Sequence, residues 1–396
     1  MIRISPKNKN FFFGYYDKNP KNKNLDKTLA HEVNFIIREP NLNDKAKIGY
    51  INNENNQYFQ LSETNSWNFQ QGSMLQWVDN ENIIFNDCNN KKYFAKILNV
   101  NNKKINERTK FPIYSISEDK KIYSTIDFSK LNNVRKGYGY NQLQFKNNNQ
   151  ILKICKIINS DIIVDIREKD LKDFILPNYK NYWIDHVLFS GYDFVFLLRH
   201  SNNDGDLYTK LMYFNFNKKK IYQVLDTGMA GHGSWLNNDE FIIWAREREV
   251  VKKIKSNLLF KKHLKRYFNI FNKFFINEII RKNIYGDKFL IFNKKKMKVY
   301  EFKNNIPYHL SGGHFTFFKN KNFMISDTYP DKNNNSTLFK YNLKTKENLI
   351  LKTIKTLPQI KDTNFRCDLH PRIVNDEEII IDSTHEGFRG IYKIYI

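Results

Sequence analysis

One phrase recurs seven times along this 396-residue chain: a short apolar strand, a polar turn, then a second apolar strand. The copies lie very roughly 45 to 70 residues apart, the spacing of units with about four short strands each. The chain also carries 33 Phe and 23 Tyr, enough aromatic surface for an extensive core and far from a disordered composition. Together these observations predict an all-β chain, a seven-bladed β-propeller occupying 1–396 as one domain. Helical repeats are disfavoured because almost nothing in the recurring segments has a 3.6-residue period.

The copies can be taken in order. The stretch 15–31 reads as the first. The second is 77–85, Trp-Val-Asp-Asn-Glu-Asn-Ile-Ile-Phe, and a weaker third is 116–123. The fourth is 189–196, the fifth 235–244, the sixth 317–325 and the seventh 373–381. Their strands are rich in Ile, Phe, Tyr and Val, and their turns in Asn, Asp and Lys, the residue types that favour pleated strands and tight turns respectively.

One stretch departs from the pattern. Between the fifth and sixth copies, 250–284 reads as helix: Val251, Ile254, Leu258, Leu264, Phe268, Phe271, Phe275 and Ile279 recur at three- and four-residue steps. The same stretch holds ten Lys and Arg against Glu278 alone, +9 of the chain's net charge of +24. So basic and aromatic an insertion is expected to lie on an anionic membrane surface, to bind a partner protein, or to pack as a helical hairpin with a solvated basic face. The overall charge favours an anionic partner: nucleic acid, an acidic glycan or a phospholipid surface. Nucleic acid is disfavoured, because outside 250–284 basic residues do not alternate with aromatics along one face.

Cys88, Cys155 and Cys367 are odd in number and far apart, which supports neither a disulfide framework nor a cysteine zinc site. Residues 1–13 contain no apolar run of signal-peptide length, and no segment offers about 18 consecutive apolar residues. The expected location is the cytoplasm, with the inner face of the membrane as a peripheral station.

The sharpest chemical signal comes from laying the copies over one another. His186, His232, His314 and His370 each precede the head of a copy (Phe189, Trp235, Phe317, Ile373) by three residues. If those strands are innermost, four imidazoles converge on the central channel, as a divalent metal site requires. Thirteen to fifteen residues later the second strand returns to the same end, carrying Arg199 and His200, Arg246, Asp327 and Thr328, and Thr384 and His385. A charged rim around the histidines is therefore expected. Gly312-Gly313 beside His314 suggests a close backbone approach, and Gly137 to Tyr140 after Arg135 an aromatic loop over a ligand or a bulged connection. No phosphate-loop, dinucleotide or serine-nucleophile motif occurs.

At these residues the sequence resembles a known family. The phrases Gly231-His232-Gly233-Ser234-Trp235, Arg366-Cys367-Asp368-Leu369-His370-Pro371-Arg372 and Asp382-Ser383-Thr384-His385-Glu386-Gly387 look like oligogalacturonate lyase and its TolB-like propeller relatives. So do Trp183-Ile184-Asp185-His186, Arg199-His200 and Asp327-Thr328-Tyr329-Pro330-Asp331. Gly14 to Lys18, Phe69 to Gly72 and Arg135 to Tyr140 resemble a branch commonly associated with surface-polysaccharide gene clusters.

The resemblance implies a manganese-like divalent ion held by His232, His314 and His370. The family places a glutamine three residues before the second histidine, where this chain has Ser311. It further implies a catalytic histidine in the copy containing His186 and His200, with His200 the closer match, assisted by Arg199 or Arg246. Expected on the substrate side are Tyr16, Lys18, Gln71, Arg135, Arg246, Asp327, Arg372 and His385. The expected activity is metal-dependent β-elimination of a uronate in an acidic oligo- or polysaccharide. The alternative is a non-catalytic propeller that binds glycan in surface-polysaccharide assembly and docks through 250–284.

Overall fold

The computed structural model describes residues 1–89, 91–144, 150–202, 207–247, 287–318 and 322–396. The basic stretch 250–284 therefore lies outside the described residues. Among the described residues the strands form six antiparallel sheets, five of four strands and one of seven. The first comprises Asn10–Phe12, Lys27–Val33, Ala46–Asn52 and Tyr58–Thr64, each bonded to the next. The second runs from Gln76–Trp77 to Ile105–Arg108 and the third from Ser115–Ile116 to Ile162–Arg167.

In the seven-stranded sheet, the sixteen-residue strand Lys220–Trp235 is shared. Its first half pairs with Leu207–Asn215 and its second half with Glu240–Glu247. One run before it begins at Asn181–Ser190, and the run after it ends at Lys298–Glu301. Phe315–Phe317 opens the fifth sheet. The sixth joins Arg372–Ile373, Glu378–Ser383 and Gly390–Tyr395 to Ile2–Arg3, so the chain's first strand completes its last sheet. Ala245 pairs with Lys288, so Glu240–Glu247 and Lys288–Asn293 are neighbouring strands of one sheet. No helix among the described residues is long and apolar enough to cross a membrane.

The recurring phrase is the first hairpin of each four-strand run. Its second strand is written Ile-Ile-Phe or Ile-Ile-Ile rather than alternating because both of its faces are buried. Ile380 packs with Phe11, Leu29 and Ile83 of the first two sheets. Its neighbours Ile379 and Ile381 point the other way, onto Ile325 and Leu338. Likewise Ile243 packs with Val195 and Leu211 while Ile242 packs with Phe315 and Met324. Successive residues thus serve the two interfaces that each sheet makes with its neighbours.

The first copy is the exception. Its inner strand is Asn10–Phe12, and 15–31 does not begin with a strand. Gly14, at φ +131°, lets the chain leave the sheet, and a Cβ there would stand 2.9 Å from the Gln71 carbonyl oxygen. Tyr15 and Tyr16 consequently enter the central channel and are buried there.

Candidate metal and active site

The four histidines do converge. Ring centroids are 4.0 Å apart for His232 and His314, 4.2 Å for His314 and His370, and 5.8 Å for His186 and His232. Two of them lie at register shifts in long strands: His186 between the pairs made by Asp185 and Leu188, His232 between those of Ala230 and Gly233. Such bulges re-aim a side chain out of the pleat. His186 and His370 also adopt φ of +53° and +47°, a conformation costly for a residue with a Cβ and concentrated at functional sites.

Each ring is oriented through Nδ1. His232 Nδ1 lies 3.1 Å from the Gly313 carbonyl oxygen and His370 Nδ1 2.8 Å from that of Gly14. A carbonyl only accepts, so Nδ1 carries the proton in both rings. His314 Nδ1 faces the Asp327 carboxylate at 3.1 Å, and His186 Nδ1 faces Asp185 at 2.7 Å. Neutral imidazoles held this way present Nε2 as a lone pair, the arrangement that second-shell partners impose on metal ligands. Nε2 of His314 and of His370 is buried and has no hydrogen-bond partner among the described residues. One ligand atom each from His314, Asp368 and His370 lie within 4.8 Å of one another, and all three residues are buried. Asp327 fixes this group from behind, accepting also from the backbone N–H of His314 at 2.7 Å and of His370 at 2.9 Å. These donors fit a divalent ion such as zinc or manganese.

Burial lowers the proton affinity of His232 and His370 well below the ordinary imidazole value, with repulsion from His314 acting the same way. For His186 burial also prevails, although Asp185 pulls upward. The Asp185 carboxyl is held well below its usual range: burial works to raise it, but Arg199, His186 and Arg135 together outweigh burial. Arg199 Nε lies 2.8 Å and Arg135 Nη1 2.6 Å from Asp185. Tyr15 donates its hydroxyl to His186 Nε2 at 2.8 Å, and its ring stands edge-on to all four histidines at 5.0 to 6.4 Å.

At the edge of the cluster, Arg135 stacks on Tyr138 at 3.7 Å and Arg366 lies over Tyr329 at 5.2 Å while holding Asp368 at 2.9 Å. The side chains of Arg135 and Arg366 remain 26% and 22% exposed, and Tyr329 is 40% exposed, so this is the solvent-facing side.

Other expected residues sit elsewhere. His200 is fully buried on the opposite face of its strand from Arg199, beside Tyr179 and Tyr208, because successive strand residues alternate faces. Arg246 pairs with Asp287 and covers Trp244. Arg372 is buried against Asp382 and the Tyr15 carbonyl, supporting the inner loop. His385 is bonded to Ser383 and rests on Tyr392. Lys18 is ion-paired with Asp17 at 2.8 Å and lines a different cavity, of about 960 Å³, with Trp77, Phe189 and Trp235 further along the channel beyond Tyr16. Tyr16 itself packs on His314 at 5.2 Å and donates to the Gly233 carbonyl. Gln71 donates to Tyr114, whose hydroxyl takes the His186 backbone N–H.

Tyr15, Asp185, Tyr329 and Asp368 were not among the expected site residues. The available signal was a carboxylate within two residues of a histidine in register, as in Asp185-His186 and Asp368-Leu369-His370.

No family model matches the chain, and no curated protein matches it by sequence. Among solved structures the chain is similar to an oligogalacturonate lyase from Vibrio parahaemolyticus at 13% identity. That match has a TM-score of 0.59 and covers 100% of this chain and 93% of the lyase. It is also similar to the β-propeller domain of the Trilobed protease from Pyrococcus furiosus at 10% identity and TM-score 0.51, covering 96% and 95%. The tricorn protease matches at 9% and 0.51, over 99% of this chain and 34% of that one. The fold is that of a β-propeller, and oligogalacturonate lyase is among the proteins it resembles.

Proposed function

We propose that this protein is a seven-bladed propeller acting as a divalent-metal-dependent lyase on an acidic saccharide, by β-elimination at a uronate. The seven-bladed reading counts the shared strand Lys220–Trp235 in two runs, one for each recurring phrase on either side. The observation that carries the function is the pair of buried Nε2 atoms without partners among the described residues, those of His314 and His370, beside Asp368. Resemblance in fold to an oligogalacturonate lyase supports the reading, and manganese is the ion proposed.

His314, Asp368 and His370 would hold the ion, with His232 at their side, and it would supply a Lewis acid for the substrate carboxylate. Arg135 and Arg366, partly exposed and always charged, bind carboxylates of the sugar chain at the mouth. The base is His186: it belongs to the cluster, whereas His200 faces away from it. Asp185 holds His186 in the Nδ1–H form and balances the imidazolium that forms when Nε2 takes a proton. Arg199 and Arg135 keep Asp185 ionised.

The test has two parts on the full chain. Elemental analysis is expected to find about one equivalent of manganese or a similar ion, lost in His314→Ala/His370→Ala. Turnover of oligogalacturonates, read as unsaturated uronate, is expected to fall at least about 100-fold in His186→Ala. Loss in His200→Ala with His186→Ala unaffected would return the base to His200. A chain with neither metal nor turnover would favour the second reading, a cytoplasmic glycan-binding or assembly propeller docked to an anionic membrane or membrane-bound partner. The +9 charge of 250–284 supports that reading.

A further inference from the structure

His186 has no nitrogen left for a substrate. Nδ1 is bonded to Asp185 at 2.7 Å and Nε2 to the Tyr15 hydroxyl at 2.8 Å. With Nδ1 protonated, Nε2 accepts and Tyr15 donates, which leaves a lone pair of the Tyr15 oxygen as the free end of the Asp185–His186–Tyr15 chain. The Tyr15 ring stands edge-on to all four histidines, so its place is the centre of the cluster.

The backbone fixes it there. Gly14 N–H reaches Asp382 at 3.4 Å, the Gly14 carbonyl accepts from His370 Nδ1, and the Tyr15 carbonyl accepts from Arg372 Nε at 3.1 Å. Arg372 is itself clamped by Asp382. A loop from the first sheet is thus tied to the last sheet at the residue pair that carries Tyr15.

We infer that Tyr15 is the group that meets the substrate, relaying the proton between the sugar carbon and His186; this rests on the lyase reading above. In the forward step the C5–H bond breaks and its electrons form the C4=C5 double bond as the C4–O bond to the leaving sugar breaks. The proton joins the Tyr15 oxygen while the phenolic proton of Tyr15 moves to His186 Nε2. The leaving oxygen then takes a proton from Tyr15, which is refilled from His186, so no external acid or base is consumed. Tyr15 acts on one face of the sugar, for both the C5 proton and the leaving group.

The experiment is steady-state turnover of oligogalacturonates by the metal-loaded full chain, with Tyr15→Phe, His186→Gln and the double variant. Removing only the hydroxyl is expected to lower kcat about 100-fold or more, with KM changed less than about threefold and metal content unchanged. The double variant is expected to be no slower than either single one, since the two groups act as a unit. Unchanged metal content reports that the fold is intact, and His186→Gln tests the same relay without touching the inner loop. Full kcat in Tyr15→Phe with an inactive His186→Gln would overturn this inference alone. A wild-type chain that turns over no uronate would overturn it together with the lyase reading.

Discussion

His200 poses a problem of buried charge. It is fully buried, its ring nitrogens have no hydrogen-bond partner among the described residues, and burial lowers its proton affinity to about 4, with Lys210 pushing the same way. In the unfolded chain an imidazole titrates near 6.5, so the unfolded state takes the proton first on acidification. Stability is therefore full above about pH 6.5 and falls as pH drops toward 4, by about 1.4 kcal/mol per pH unit for this one group. His186, His232 and His370 are lowered in the same direction. Acid sensitivity should thus begin near pH 6, well above the carboxylate range. Replacing His200 by Leu removes one of these protons and leaves no polar group stranded, so it should be near neutral at pH 7 and about 2 kcal/mol better than wild type at pH 5. Urea unfolding at the two pH values measures this, and parallel losses in the two proteins would show that His200 already protonates in the folded state.

At the scale of the single strand, the tightest constraint at the site is Gly313. A Cβ there would stand 1.8 Å from the Asp327 carbonyl oxygen and 2.6 Å from its carboxylate. Asp327 is the residue that orients His314 and receives the backbone of His370. Gly313→Ala must therefore push the second strand of that sheet off the first. It should cost at least about 3 kcal/mol and weaken metal binding about tenfold or more. Gly191→Ala makes the contrast: its φ is +63° but nothing lies within 4 Å, so the cost is backbone strain alone, about 1 kcal/mol, with metal binding intact. Calorimetry and metal titration of both variants separate the two mechanisms, and a Gly313→Ala protein as stable as wild type would mean that the approach is looser than drawn.

The same strand geometry explains what could be read from the sequence. Six of the seven expected hairpins were legible because burial on both faces demands consecutive apolar residues such as Ile-Ile-Ile or Ile-Ile-Phe, and the four histidines because they share one offset from those strands. The rim was only partly legible. An offset of thirteen points Arg199 and Asp327 inward, while one more residue turns His200 and Arg246 to other surroundings. Tyr15 was read as part of a strand because nothing local announces that Gly14 diverts the chain into the channel; that path is set by Arg372 and Asp382, more than 350 residues away. Asp368 was within a quoted motif, but the closeness that groups it with His314 and His370 is a tertiary fact.

For the molecule as a whole, the site depends on how the ring of sheets is closed. Ile2–Arg3 is the fourth strand of the sheet whose first strand follows His370. Arg3 is 6% exposed at its side chain and binds Glu386, Tyr392 and the carbonyls of Ser5, Pro6 and Lys9. Arg3→Ala strands several of these acceptors at the seam and should cost about 3 kcal/mol. The seam is distant in sequence from three of the four histidines, yet His370 belongs to the sheet it closes, and the inner loop carrying Tyr15 leaves the sheet beside it. Metal bound only by the closed form stabilises it by mass action, about 2.7 kcal/mol at one hundred times the dissociation constant. By the same linkage, loosening the seam must weaken the metal. The expected result is that Arg3→Ala lowers the unfolding midpoint and the metal affinity together, and that saturating metal recovers most of the lost stability. A seam variant that unfolds early but binds metal as tightly as wild type would show that the histidine cluster is held by its own sheets, independently of closure.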